Sequence, residues 1–310
     1  MTRSKTLAAP VFFEGVGVHS GRSVRLRLLP SSIPGIIFRR TDLDNAELPL
    51  TTGRIDSQNS TTLVGDRFRV RTVEHLLAAL WVPGIDSLTI ELDADEIPIM
   101  DGSAEPFARA LQTAGIERLP DFQPFLRIVR PFALADEGAA IDFAPPIEDG
   151  GLELSYTIDY PHPAIGGQTL RRPIRWGVFV REIAPARTFG FLKDAESLRS
   201  RGLALGASAE NTILMDDESV MNGPLRFPDE FVRHKLLDAV GDLALCGLPI
   251  YGRFRSYRGG HALNALVLHG LFAAEANYEI VDAEDLPLAF DALDDVPDGL
   301  SVRPYLRSVG

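Results

Sequence analysis

The first hundred residues alternate. Val24, Leu26 and Leu28 are interleaved with Arg25 and Arg27, the period-two pattern of a strand with one buried face. Gly21 and the serines beside it mark a turn before that strand. The apolar run 7–13 reads as an opening strand. Further short strands are expected over Gly35–Arg40 and 61–70, the latter folded at Gly65-Asp66. The period then changes. Thr72 is a candidate N-cap for a helix over 73–82 that Pro83-Gly84 ends. Ser87–Leu92 returns to strand, and Ser103 is placed to cap a helix over 104–114 stopped by Gly115.

Two prolines between periodic segments make 119–124 the candidate linker. Strand patterns resume over 125–134, 139–143, 152–158 and 168–173. Helical patterns follow over 176–183, 191–201 (stopped by Gly202) and 229–246 (stopped by Gly247). A strand over Ile250–Tyr257 and a helix from His261 to about Ala276 complete the second half. Each half thus reads as strands followed by helices mixed with strands. That order predicts an α+β fold rather than a doubly wound parallel sheet. The expected domains are 1–120 and 125–280. The acidic, proline-containing tail 281–310 is expected to pack loosely and is assigned no chemistry.

The length of 310 residues agrees with two domains. With 45% hydrophobic and 24% charged residues, the composition is globular rather than disordered. No apolar run approaches the roughly 18 residues of a membrane span. Lys5 and the apolar run after it resemble a signal peptide only faintly, since Pro10 interrupts the run, Glu14 closes it and no small-residue cleavage site follows. A formal charge of -12 speaks against nonspecific nucleic-acid binding, while leaving room for a few local cations to hold a phosphate. Cys246 is the single cysteine, so no internal disulfide forms and any metal must be held by histidine and carboxylate.

Candidate chemistry gathers in a few segments. His234, Asp238 and Asp242 are spaced by four in a helical segment, which sets them in one stripe with neighbours about 6 Å apart along the axis. An imidazole and a carboxylate one turn apart can share a zinc ion, although a solvated polar face with an i,i+4 pair has the same spacing. Leu236, Leu237, Val240 and Leu243 point to burial instead, and buried charges want a partner or a metal. Glu74-His75 lies in the first turn of the earlier helix. His75 with His234 and Asp238 would give a His₂Asp set, and Glu74 would stand where it can take a proton from water on the metal. The plainer reading makes Glu74 a first-turn acid favoured by the helix dipole and His75 a surface residue. Neither segment is an H-E-x-x-H motif.

Gly259-Gly260-His261 allows close backbone approach before a helix. His261 near that helix N-terminus would be lowered in pKa, and a carboxylate such as Asp242 would offset this and keep it protonated. A capping histidine after a flexible turn is the equal alternative. Thr188, between Arg187 and Phe189, could point into a pocket or simply open a helix. Gly15-Val-Gly17-Val-His19-Ser-Gly21 lacks the G-x-G-x-x-G spacing and a following helix, so it is not a dinucleotide loop. His162 and His269 are read as structural.

Together, several ordered stretches resemble one family, the zinc-dependent UDP-3-O-acyl-N-acetylglucosamine deacetylases of lipid A biosynthesis. They include residues 15–21, Phe38-Arg-Arg-Thr-Asp42, 72–80 with Gly84-Ile-Asp86, and 96–103. The others are Thr157-Ile-Asp159 with His162-Pro163, 187–191, 231–243 and 260–264. The resemblance implies two domains, each layering two helices on a mainly antiparallel sheet, with the active site between them. It implies zinc (or iron(II) on the same ligands) at His75, His234 and Asp238, and Glu74 as general base. Lys235 and His261 would act near the metal, Asp242 would orient His261, and Thr188 would hydrogen-bond the oxyanion or water. Phe189, Tyr160 and Arg258 match positions that contact sugar and UDP, and His19 lies near the mouth of the acyl passage. The chain departs from the family at Ala265, where an asparagine is usual, and at Arg258, where lysine is common. The implied protein is a cytoplasmic monomer, with a possible peripheral place at the inner membrane of a Gram-negative bacterium, and it deacetylates a UDP-linked acylated glucosamine with release of acetate. The competing expectations are a zinc amidase for another acylated amine and a non-catalytic ligand-binding homologue.

Overall fold

The computed structural model describes residues 3–51, 54–57, 59–147, 150–282, 285–286 and 303–304. Most of the tail 281–310, to which no chemistry was assigned, lies outside them. The fold is α+β. A five-stranded sheet runs in the order Val11–Val16, Ser23–Pro30, Ser87–Leu92, Gly35–Arg40, Ala46–Pro49. Its pairings are antiparallel except Gly35–Arg40 with Ser87–Leu92. The alternation in Ser23–Pro30 is realised, with Val24, Leu26 and Leu28 buried and Arg25 and Arg27 exposed. A seven-stranded sheet is centred on Ile250–Tyr257, flanked by Ala139–Ala144, Phe125–Ile128 and Leu152–Tyr160. Gly166–Pro173 pairs with Leu152–Tyr160, Phe132–Asp136 with Ala139–Ala144, and Tyr278–Val281 with Phe125–Ile128.

Six α-helices lie among the described residues: α1 Glu74–Trp81, α2 Glu105–Ala114, α3 Trp176–Val178, α4 Leu192–Ser200, α5 Glu230–Leu243 and α6 His261–Ala273. The first and fifth pack directly against each other and are buried along almost their whole length. Their contact depends on Gly241. A Cβ there would fall 1.9 Å from the backbone oxygen of Glu74, so only glycine lets the two backbones approach this closely. Leu76 and Leu80 of α1 join Leu236 and Val240 of α5 in one apolar core that reaches Leu26 and Ile90 in the first sheet and Leu154 and Phe254 in the second.

Several expectations are corrected. The run 7–13 is two strands, Arg3–Leu7 and Val11–Val16, which serve different sheets and break at Pro10. The supposed linker is mostly the strand Ile116–Phe122, paired antiparallel with Arg3–Leu7. Pro120 is accommodated because the register shifts between Arg3 and Lys5, opposite it. Thr72 does not cap α1. Its φ is +56° and its hydroxyl donates to Glu96 instead, leaving Val73 as a cap without a side-chain bond. Residues 125–134 are two strands, because the Val129 and Arg130 amides turn to the Asn277 carbonyl. The helix expected over 176–183 is α3 continued by a π-helical turn, Phe179–Ile183.

Candidate active site

Two distant stretches of chain meet where α1 starts and α5 passes it. His75 from α1 and His234 and Asp238 from α5 are all buried, and one ligand atom of each lies within 4.8 Å of the others. His75 Nε2 and His234 Nε2 each stand 3.4 Å from Asp238 Oδ1. The two imidazoles meet edge to face at 5.0 Å. His234 Nδ1 is 3.1 Å from the Ala186 carbonyl, so Nδ1 carries the proton and the Nε2 lone pair points into the cluster. Burial pushes His234 down to about 4, which keeps it neutral as a metal ligand must be. Burial alone would raise the Asp238 carboxyl, but His234 and Lys235 outweigh it and hold Asp238 well below the usual carboxylate range. Two imidazoles and one ionised carboxylate, buried and converging, form a donor set that fits a divalent zinc-like cation.

Glu74 and His261 flank this cluster. Burial pushes the Glu74 carboxyl above its ordinary range, against the pull of His261 and His75. One Glu74 oxygen accepts from the Thr61 amide at 3.1 Å. His261 is the first residue of α6, where burial alone would lower it. Asp242 at 2.9 Å more than offsets that and raises His261 to about 9. Asp242 is itself fixed by the Thr61 hydroxyl and by Asn264 Nδ2 at 2.7 Å. Lys235 Nζ donates to Asp238 Oδ2 at 2.7 Å. Burial disfavours its charge, yet Asp238 raises it, and it stays an ammonium.

A cavity of about 220 Å³ opens over these groups. Its walls include Glu74, His75, His234, Asp238, His261, Thr188, Phe189 and His19, so eight of the twelve residues singled out in the sequence share one space. Lys235 and Asp242 stand behind it, bonded to Asp238 and His261. Tyr160 packs edge to face on Phe189, ring centroids 5.7 Å apart. Arg258 is exposed at φ +55° and is not among the lining residues. One lane of the cavity, under α4, is apolar, formed by Leu192, Ala195, Leu198 and Leu214.

Sequence reasoning missed three supports. Thr61 ties Glu74 to Asp242, and nothing in its neighbourhood signals that. Glu96 is fully buried and accepts from the amides of His19 and Ser20, both at 2.8 Å. A Cβ at Gly17 would lie 2.1 Å from the Glu96 carboxylate, so the glycine-rich turn of 15–21 wraps a carboxylate of its own chain. Glu230, at the start of α5, is also fully buried and grips Arg187 Nε at 2.9 Å, anchoring the Thr188 segment.

The family described as UDP-3-O-acyl N-acetylglycosamine deacetylase (LpxC) matches residues 4–273. A relative from Sodalis glossinidius, named UDP-3-O-acyl-N-acetylglucosamine deacetylase, is 45% identical over 302 residues, covering 94% of this chain and 98% of its own. Relatives of the same name from Photobacterium profundum and Saccharophagus degradans are 44% and 43% identical. Those two alignments cover 94% and 92% of this chain, and 97% and 95% of the relatives. With a match across nearly the whole length and a buried His-His-Asp cluster where α1 meets α5, the chain belongs to the UDP-3-O-acyl N-acetylglycosamine deacetylase family.

Proposed function

We propose that this chain hydrolyses the N-acetyl group of UDP-3-O-(3-hydroxyacyl)-N-acetylglucosamine, releasing acetate and the free amine, a step of lipid A biosynthesis. The observation that carries the reading is the buried His75–His234–Asp238 cluster with Glu74 and His261 beside it in one cavity. These three residues would hold Zn²⁺, or Fe²⁺ on the same ligands. When bound, the cation supplies Lewis acidity, which acidifies water and polarises the amide carbonyl.

The protein's own groups do the rest. Glu74, whose burial makes it a better base than a free carboxylate, takes a proton as water adds to the acetyl carbon. The Thr188 hydroxyl and the protonated His261 stabilise the negative charge that develops on the carbonyl oxygen, donors of a kind worth on the order of 3 kcal/mol each. His261 then gives a proton to the glucosamine nitrogen as the C–N bond breaks, and Asp242 holds its ring in place. Lys235 keeps the Asp238 carboxylate charge-balanced. The apolar lane under α4 takes the acyl chain, with His19 at its mouth. Tyr160 and Phe189 offer aromatic faces to the sugar nucleotide, and Arg258 a cation for its diphosphate.

We further read the chain as two domains meeting near 120–125, acting as a cytoplasmic monomer that reaches its lipid-like substrate at the inner-membrane surface. Among the described residues no helix is long and apolar enough to cross a membrane. The test is metal content and acetate release by the purified protein beside Glu74→Gln. Full metal loading with loss of turnover in the variant is expected. Wild-type protein that binds metal and releases no acetate from the acylated UDP-sugar would overturn the assignment.

A further inference from the structure

A second pocket, of about 230 Å³, adjoins the catalytic cavity and shares His19, Asn59 and Ser60 with it. Three arginines line it: Arg69 and Arg71 from the hairpin strand Arg69–Val70 and the residue after it, and Arg201 from the end of α4. Many other arginines of this acidic chain are tied to carboxylates, as in Arg25–Asp93, Arg39–Glu47 and Arg187–Glu230. Among the described residues none of the three guanidinium groups has a hydrogen-bonded or ion-paired partner. Among the described residues Asp56 is the one carboxylate in the lining. The hydroxyls of Ser60 and Thr62 add donors. His19 Nδ1 accepts from the Ala204 amide at 3.4 Å, which leaves its Nε2 as the N–H that can donate.

Three unpaired guanidiniums converging on hydroxyl and imidazole donors make a phosphate-binding geometry. The pocket meets the end of α4, a helix with no buried residue, at Arg201; Leu192 at the start of that helix and Leu205 in the loop after it are exposed large apolar side chains. We infer that Arg69, Arg71 and Arg201, with His19, form an anion subsite that takes a phosphate group next to the catalytic cavity. The subsite is separate from the Arg258 position, which is outside the lining of both cavities. Two sources carry that chemistry: the headgroup of an anionic phospholipid, met as α4 approaches a bilayer, and the diphosphate of the substrate. The inference rests on the deacetylase reading only for the second source.

The metal-loaded full chain and an Arg69→Ala/Arg201→Ala double variant separate them. Both side chains are exposed, so the fold is retained. One measurement is sedimentation with phosphatidylglycerol or phosphatidylcholine vesicles. The other is steady-state deacetylation of a short-acyl soluble substrate. If a lipid headgroup fills the pocket, wild-type protein binds phosphatidylglycerol only, and the variant loses on the order of fivefold in partitioning per arginine removed, with KM unchanged. If the substrate's diphosphate fills it, KM rises with kcat retained and vesicle binding is equal for the two proteins. Either result, or both together, supports the subsite, and Arg→Lys at the same positions should restore part of the loss. A double variant that matches wild type in both measurements overturns it. Wild-type protein without turnover would instead indict the deacetylase reading, and the vesicle measurement would still report on the pocket.

Discussion

The α1–α5 contact and the α4 rim face the same cavity and are built in opposite ways. At the contact, backbones touch through Gly241, Asp238 and Asp242 are ionically or hydrogen-bond partnered, and Leu236, Leu237 and Val240 exclude water. At the rim, α4 buries no residue, and Arg69, Arg71 and Arg201 have no side-chain partner among the described residues. Groups that must hold a metal and move protons need fixed distances, which dense packing provides. The proposed acyl lane and anion subsite need room and open valences instead. The contrast predicts that damage at the contact removes chemistry, whereas damage at the rim changes recognition.

The largest effect should come from the ligand shared by both histidines. Asp238→Ala is expected to abolish bound metal and acetate release while the protein remains folded, because the apolar core does not depend on this carboxylate. Metal analysis and circular dichroism check this. A fully metal-loaded Asp238→Ala protein would detach the cluster from the chemistry. Next is Glu74→Gln, which should retain metal and lower kcat by about 10²–10⁴-fold, the usual contribution of a general base. A near wild-type rate would contradict its role.

Asp242→Asn should move the pH profile. As the proposed base, Glu74 would have to be deprotonated, so activity should rise as pH passes its raised pKa. The proposed role of His261 needs its protonated form, so activity falls as pH passes its own pKa, raised to about 9. A bound cation adds positive charge and draws both limbs to lower pH. Without the Asp242 charge, burial acts on His261 against the weaker pull of Asp238, and the alkaline limb should shift to lower pH by about a unit. A variant with reduced kcat and an unmoved alkaline limb would take His261 out of the proton path.

These targets were unequally visible in the sequence. The i,i+4 spacing of His234 and Asp238 and the Glu74-His75 pair are local, and so is the alternation of Val24, Leu26 and Leu28. Local patterns survive in the fold because one helix face or one strand face determines them. Thr61 contacts Asp242 across 181 positions, and no pattern around Thr61 could announce it. Thr72 looked like a cap because its neighbours favour a helix start. It is instead drawn into a left-handed backbone by Glu96, a residue from another loop. The same holds at 119–124, where two prolines suggested a linker and a distant partner strand at Arg3–Leu7 made a strand. Tertiary partners overrode local propensity at each of these places.

Gly241→Ala tests the packed region without touching a charge. Its new Cβ would collide with the Glu74 backbone, so α1 and α5 must part. Overpacking of this sort costs about 1–3 kcal/mol, seen as a lower Tm. Because the displaced residue is Glu74 itself, kcat should fall together with Tm. Loss of stability alone would mean that the contact holds the helices and leaves the base where it was.

The smallest effect belongs to the rim. Leu198 sits on α4, half-buried, and lines the apolar lane. Leu198→Ala removes three carbons from a wall that is already partly wet, so the loss in affinity for a long acyl chain stays below about tenfold. It should appear in KM, since the side chain is remote from the acetyl group. A short-acyl substrate should not register the change, because its chain ends before the lane. Stability should hardly move, because α4 contributes no buried residue to the core. A fall in kcat with KM intact would place α4 among the groups that organise the chemistry, and the division between a rigid centre and an adaptable rim would then fail.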